Sequence, residues 1–321
     1  MRAGYADTSP TVSILLPSYN SAAWLEQAVL SYQRQTLTHW ECLIVDDASP
    51  DNATQLAAHL AEREPRVRAL RHSTNRGVSE ALNTGIRAAR GQYIQTLGAD
   101  DIIEPSKLEH QAGVLDANPD VGLVYGDACY FDDSHPHRLR RHRTDDREWM
   151  PCVSGGREMV LPELIRRNIL PYQAVLFRGS VFDTVGLFDP HLRSHEDYDM
   201  CLRIAMADIP FAYAPAPRTR VLVRVHPGAL TNQQVQMWET LVAVRDKADA
   251  MLVDAGLRRL NREMQVKELR NLASAHTRRG RRVSAFARAS WVAPYPRQKV
   301  GNLVRAAAAL LRSPSEPACD K

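Results

Sequence analysis

The sequence predicts an α/β fold, a mixed and mostly parallel sheet flanked by helices, with a helical C-terminal extension. Three observations lead there. From Val12 to Asp101 short apolar runs alternate with helix-periodic stretches every 25–30 residues or so, with about 25 residues per step, the pattern of βαβ units. Three of the runs end in turn residues or acids: Pro17-Ser18-Tyr19-Asn20, Asp46-Asp47 and Gly98-Ala99-Asp100-Asp101. After Thr231 only helical periodicity remains. The division therefore falls between residues 1–231, the α/β domain, and 232–321, a helical, basic extension.

Taken in order, Val12–Leu16 is a buried strand stopped by Pro17. Ser21 to Gln35 has helical spacing, Cys42–Val45 is a second strand, and Asp51 to Arg63 is helical again. Val67–Leu70 is a third strand, Ser79–Arg90 a helix closed by Gly91, and Tyr93–Leu97 a fourth strand. Pro105–Leu115 is a helix, and Val121–Tyr125, Ala174–Phe177 and Val221–Val225 are further strands. Tyr198–Ala207 is a helix opened by acids. Two later helices are marked by Trp238, Leu241, Val242, Arg245 and Ala248, and by Leu260, Met264, Leu269 and Leu272. In open parallel sheets ligands bind at the carboxyl ends of the strands, and here the acids and turn residues converge on that edge.

Charge and composition narrow the class. The 321 residues carry a net +4, with 44% hydrophobic residues, enough for a full core. Gly and Pro are ordinary in number, which excludes collagen-like and low-complexity chains. Residues 1–257 hold 26 basic and 33 acidic side chains, a net −7, whereas residues 258–321 hold 15 and 4, a net +11. A basic tail on a mildly acidic body points to an anionic partner. The five cysteines are widely spaced with no CxxC pair, so free thiols in a reducing cytoplasm are expected. Met1 to Pro10 lacks the apolar stretch of a secretory signal, and no run is long enough to span a bilayer.

The order of Val12–Asn20, Ile44-Val45-Asp46-Asp47-Ala48-Ser49, Asn75-Arg76-Gly77, Asn83-Thr84-Gly85 and Gly98-Ala99-Asp100-Asp101 resembles the family 2 glycosyltransferases, over residues 11–231. The resemblance implies a GT-A fold and inversion at the transferred sugar's anomeric carbon. It implies that Pro17, Ser18, Tyr19 and Asn20 line the nucleotide base and that Asp47 accepts a hydrogen bond from it. Arg76 would reach the diphosphate and Asn83 would shape the donor pocket. Asp100 would contact ribose or metal, Asp101 would ligate a divalent metal, Mn2+ or Mg2+, and His226 would lie near the metal. In Ser194-His195-Glu196-Asp197, Asp197 would be the general base and Glu196 would orient it or the acceptor. Gly98 stands where the family usually has another acid, which motivates an alternative: a GT-A protein that binds a nucleotide sugar without chemistry.

Plainer roles stand beside these. Asp47 and Asp101 could cap the helices that follow, and the acids at 196–199 could answer a helix dipole. His226 could cap or lie at the surface, and Arg76 could be solvated. The Arg-rich stretch 138–147 and Tyr172-Gln173 fall where the family meets its acceptor. The processive Gln-x-x-Arg-Trp motif is absent. The expected partners are a nucleotide sugar, UDP-linked by preference, and a saccharide or lipid-linked acceptor in surface polysaccharide synthesis. In 297–312 an apolar stripe of Val300, Leu303, Val304, Ala307 and Leu311 is flanked by Arg297, Lys299, Arg305 and Arg312, which fits peripheral contact with the inner face of the cytoplasmic membrane, or a helix packed on its own domain. Nucleic acid is not expected, since no basic motif interleaved with aromatics occurs.

Overall fold

The structure, a computed structural model, describes residues 9–141, 152–276 and 279–311. Its first half reads β1 (Val12–Ser18), α1 (Ala22–Gln33), β2 (Trp40–Asp46), α2 (Ala53–Arg63), β3 (Val67–Arg71), α3 (Val78–Ala88) and β4 (Tyr93–Thr96). Then follow β5 (Ile102–Ile103), α4 (Lys107–Ala117), β6 (Leu123–Tyr125), β7 (Ala128–Phe131), α5 (Arg157–Arg166) and a 3-10 turn, Tyr172–Ala174. β8 (Val175–Arg178), α6 (Val181–Val185), α7 (Glu196–Met206), β9 (Phe211–Tyr213) and β10 (Val221–Arg224) complete this part. α8 (Gln234–Met251), α9 (Ala255–Ala275), α10 (Arg279–Val292) and α11 (Pro296–Leu311) form the extension. The chain divides into two compact units: one takes residues up to Leu164 and Asn168–Ala229, the other Ile165–Arg167 and the residues from Leu230 onward.

The first unit holds a seven-stranded sheet in the order β3-β2-β1-β4-β8-β6-β9 and a small sheet β5-β10-β7. β1 pairs in parallel with β2 and β4, and β2 with β3. β8 runs antiparallel to both β4 and β6. β1 and β2 are buried along nearly their whole length, which is why they read as continuous apolar runs rather than as alternating ones. Leu25, Val29 and Tyr32 of α1 and Leu108 and Leu115 of α4 pack against them.

Four local expectations are corrected. Pro17 does not stop β1, since Pro17 and Ser18 still pair with Val45 and Asp46. The odd residues of β1 face β4, as the bonds from Tyr93 N to Thr11 O and Leu97 N to Leu15 O show. The missing N–H of Pro17 therefore lies on the β4 side, past the end of β4 at Thr96, where no ladder bond is lost. Gly91 does not close α3, which ends at Ala88. A Cβ at Gly91 would lie 2.5 Å from Ser13 N, so the glycine permits close passage beside β1. Asp47 does not cap a helix, because α2 begins only at Ala53, where Asp51 accepts from Ala53 N at 3.1 Å. The helix expected at Pro105 begins at Lys107.

In the second unit Val242, Leu269, Leu272, Ala273, Phe286, Ala289 and Ala306 share one core. Arg245, within the expected apolar stripe of α8, is only 1% exposed. Its guanidinium forks onto Glu268 of α9, with Nε and Nη2 3.0 and 2.9 Å from Oε1, and Nη1 donates to Ile165 O at 2.7 Å. The pair is a buried, multiply bonded tie between α8 and α9. The described cysteines Cys42, Cys129, Cys152 and Cys201 are free thiols. No helix among the described residues is long and apolar enough to cross a membrane.

Candidate active site

The parallel pairing of β1, β2 and β4 brings their carboxyl ends, and with them Pro17–Asn20, Asp46-Asp47 and Gly98–Asp101, to one edge of the sheet. The backbone there is unusual. Asn20 and Ala48, just past β1 and β2, have φ of 55° and 57°, and His195, just before α7, has φ of 55°. Left-handed non-glycine residues cost energy and gather at functional sites. Pro17 is half-buried, Tyr19 is exposed, and Ser18 is buried with no hydrogen-bond partner for Oγ. Asn20 N donates to Ser49 Oγ at 3.1 Å, joining the first two loops.

Asp47 is buried at that edge and organises it. Its Oδ1 accepts from Arg76 N at 2.8 Å and meets His72 Nδ1 at 2.7 Å, while Oδ2 accepts from Gly77 N at 2.7 Å. The carboxylate thus shapes the Asn75–Gly77 loop, and Oδ2 keeps one acceptor site for a further N–H. Gly77, with φ of 88°, makes the turn that exposes this N–H. The Arg76 guanidinium pairs with Glu80 at 3.0 Å and is half exposed, so it is not aimed at Asp100 or Asp101 by any bond of its own. The amide of Asn83 is bonded to the backbone of Phe188, donating to O at 2.8 Å and accepting from N at 2.9 Å, and so holds the Gly186–Asp189 turn from inside.

Asp100 and Asp101 differ sharply. Asp101 is 2% exposed; its Oδ1 accepts from Arg224 N at 2.9 Å, and the Gln173 side chain also bonds to it. Burial first, then the neighbouring Asp100 charge, push its carboxyl well above the usual range. Asp100 is more open and lies 3.0 Å from His226 Nε2. Arg224, missed from sequence, binds this loop from β10: Nε donates to Asp100 O at 2.9 Å and Nη2 to Gln27 Oε1 at 2.8 Å, and Nη1 pairs with Asp133. Trp24 stacks on His226 with ring centroids 4.2 Å apart. A Cβ at Gly98 would lie 2.5 Å from Asp100 Oδ1 and 2.9 Å from Asp101 Oδ2, so a side chain there would oblige these carboxylates to shift.

Glu196 and Asp197 open α7, and the 3-10 turn links them to this edge. Gln95 of β4 lies opposite Leu176 of the antiparallel β8, so the Tyr172–Ala174 turn just before β8 sits at the carboxyl end of β4. Gln173 from that turn reaches Asp101, and Tyr172 lies within electrostatic range of Glu196 and Asp197. Asp197 is half-buried and accepts from Asn168 Nδ2 at 3.2 Å. Glu196 is buried, and its Oε2 has no hydrogen-bond partner. Burial, and then the charge of Asp197, push Glu196 up to about 8, and burial also raises Asp197. Among the described residues no group of three or more His, Cys, Asp or Glu side chains is set to hold a metal. Asp100 and His226, an adjacent carboxylate and imidazole, are the pair that best fits one.

The family model for Glycosyl transferase family 2 matches residues 13–180, more than half of the chain. The chain belongs to that family. This family 2 chain is 29% identical over 241 residues to an uncharacterized glycosyltransferase of Rickettsia typhi, covering 74% of the chain and 70% of the relative. It is 29% identical over 239 residues to the uncharacterized glycosyltransferase EpsJ of Bacillus subtilis, covering 70% and 63%. Among solved structures, S. aureus TarS 1-349 in complex with UDP-GlcNAc superposes with a TM-score of 0.62 at 14% identity, over 94% of this chain and 91% of that one. A longer TarS structure gives 0.67 at 16% identity, and there the family 2 chain spans about half (53%) of the other's length. Mannosyltransferase PcManGT from Pyrobaculum calidifontis, in complex with GDP-Man and Mn2+, gives 0.58 at 18% identity, over 94% of this chain and 88% of that one. The fold is GT-A, with helices following it. The matched stretch ends before Glu196, Asp197 and His226.

Sequence reasoning missed His72, Asn168 and Arg224. Arg224 had a signal, a charged residue inside the apolar run before His226. His72 and Asn168 had none, because their partners are brought to them only by the folded chain.

Proposed function

We propose that this chain is an inverting, non-processive glycosyltransferase that moves a sugar from a nucleotide-sugar donor to a saccharide or lipid-linked saccharide in surface polysaccharide synthesis. One observation carries the reading: the Tyr172–Ala174 turn lies at the carboxyl end of β4, before Asp100-Asp101, and Asn168, just ahead of that turn, donates to Asp197 Oδ2 at 3.2 Å. The donor would lie over the ends of β1, β2 and β4, with its base against Pro17–Asn20 and the free acceptor site of Asp47 Oδ2. UDP-sugars are favoured, since TarS complexes hold UDP-GlcNAc and UDP, with GDP-sugars next, as in the PcManGT complex.

Asp197 takes the proton of the acceptor hydroxyl while that oxygen bonds to the sugar's anomeric carbon and the bond to the diphosphate breaks. One displacement inverts the carbon and needs no second nucleophile. Asp100 and His226 would hold a divalent cation, Mn2+ or Mg2+, whose charge would offset that of the departing diphosphate. Asp101, the expected ligand, would complete the site through Oδ2, while its Oδ1, bonded to Arg224 N, positions the loop. The alternative is a protein that binds the donor without transferring it, motivated by Gly98 standing where the family usually has another acid. The test is nucleotide release from UDP-, GDP- and dTDP-sugars with saccharide acceptors, with and without Mn2+. Release from none of them would contradict the proposal.

A peripheral membrane contact belongs to the same reading. On α11, Val300, Leu303 and Val304 are 61%, 55% and 62% exposed, whereas Asn302 is fully buried and bonded by Arg270 Nε at 2.7 Å. The helix thus turns Val300, Leu303 and Val304 outward, while Asn302 and Ala306 lie inward. Ser290 Oγ donates to Lys299 O at 2.8 Å, which sets the end of α10, with Trp291 84% exposed, beside the start of α11. Exposed Arg297, Lys299 and Arg305 surround the stripe, and this match of apolar face and positive rim selects an anionic bilayer surface. Replacing Val300, Leu303 and Val304 together by Glu is expected to abolish co-sedimentation with phosphatidylglycerol vesicles. Undiminished co-sedimentation would contradict it, and loss of self-association instead would make the face an interface between copies.

A further inference from the structure

Below the acids lies a lysine that the mechanism does not use. Lys107, in the first turn of α4, is fully buried. Its ammonium donates to two neutral amide oxygens, Gln95 Oε1 on β4 and Gln111 Oε1 one turn along α4, the latter at 2.6 Å. Burial pushes the lysine well below its usual range, so the arrangement is costly and calls for a reason.

The two amides supply one. A glutamine amide has an acceptor end and a donor end, and only its surroundings decide which way each points. An ammonium has donors and no acceptor, so it can meet both glutamines only at their oxygens. Their NH2 groups must then face away, and both face the same short segment. Gln95 Nε2 donates to Gln173 O at 3.0 Å as well as to Thr96 O at 2.6 Å, and Gln111 Nε2 donates to Ala174 O at 2.9 Å. Those carbonyls belong to the turn at the carboxyl end of β4, and the chain entering it carries Asn168, which donates to Asp197 Oδ2 at 3.2 Å.

We propose that Lys107 is a positioning residue of the transfer site: by claiming both amide oxygens it fixes the orientation of Gln95 and Gln111, and these hold the Tyr172–Ala174 turn, which lies at the carboxyl end of β4 and follows Asn168, the partner of Asp197. The consequence for turnover rests on the proposed function; the holding of the turn does not.

The test uses the full chain with two substitutions. Lys107→Met removes the donor and keeps the length of the side chain. Gln111→Glu keeps and strengthens the partner of Lys107, but a carboxylate cannot donate to Ala174 O, so it separates satisfaction of the buried charge from support of the turn. In both variants, amide hydrogen exchange across residues 172–175 is expected to quicken by about tenfold or more, while β1 and β2 keep their protection. With UDP-N-acetylglucosamine and Mn2+ as the probe, kcat is expected to fall by about 10²-fold, the cost of an ångström's misplacement, with donor KM near the parent value. Unchanged exchange in Gln111→Glu would overturn the proposal, as would quickened exchange with kcat intact. If the parent chain turns over no nucleotide sugar, the proposed function fails, and the exchange experiment still decides whether Lys107 and Gln111 hold the turn.

Discussion

Replacing Asp197 by Asn is expected to lower kcat by about 10²–10⁴-fold, the usual worth of a general base, with donor KM close to the parent value. The amide keeps the shape of the side chain and its contact with Asn168, and only the capacity to take a proton is lost. A structural role predicts the opposite pattern, with little loss of rate and a lowered melting temperature. The pH profile supplies a second reading of the same residue. Burial raises the Asp197 carboxyl above the ordinary value of about 4. A base works only when ionised, so kcat/KM is present above that raised pKa and lost as pH falls through it, and the acid limb should lie above about pH 4. Glu196 beside it is pushed up to about 8, by burial first and then by the charge of Asp197. An acid limb at or below pH 4, or full activity in Asp197→Asn, would remove Asp197 from its role.

The largest effect on stability is expected in the second unit. Glu268→Ala leaves the Arg245 guanidinium, 1% exposed, without its carboxylate. Removing one partner of a buried pair costs about 3–5 kcal/mol, because the remaining charge is stranded. Replacing both partners by apolar residues of similar volume should cost far less, since no charge is left unpaired. Denaturant unfolding followed by far-ultraviolet circular dichroism checks this: the single variant should lose the helical signal at clearly lower denaturant, and the double Arg245→Met, Glu268→Leu should recover most of the loss. Equal midpoints for the parent and Glu268→Ala would show that the bonds of Arg245 to Ile165 O and Asn261 suffice.

These two sites mark how far the sequence could be read. The strands at the centre of the sheet were legible because β1 and β2 are buried on both faces and stand out as apolar runs. β5, β7 and β9 are two to four residues long, too short for any period to show. The acids at the strand ends were legible as residue types at turn positions, and so was their convergence on one edge. What each acid bonds was not. Asp47 is met by Gly77, 30 positions on, and Asn83 by Phe188, 105 positions on; only the folded chain brings these partners together. The same limit hid Lys107, which reads as an ordinary helix-surface residue until β4 and the Tyr172–Ala174 turn are placed beside it. It also hid the sense of α11: the apolar stripe was plain, but that Leu303 faces outward and Asn302 inward is set by the folded chain. The Arg-rich stretch was expected to run over 138–147, and its residues 142–147 lie outside the described residues.

The measurement that bears most directly on the site as a whole is the anomeric configuration of the product. The parent chain would be given an α-linked UDP-sugar, Mn2+ and a saccharide acceptor that supports nucleotide release, and the new linkage read by the proton coupling at the transferred sugar's anomeric carbon. A single displacement assisted by one carboxylate, Asp197, predicts a β linkage from the first turnover. A product that keeps the α configuration would require two displacements, and the arrangement of Asp100, His226, Glu196 and Asp197 described here would not account for it.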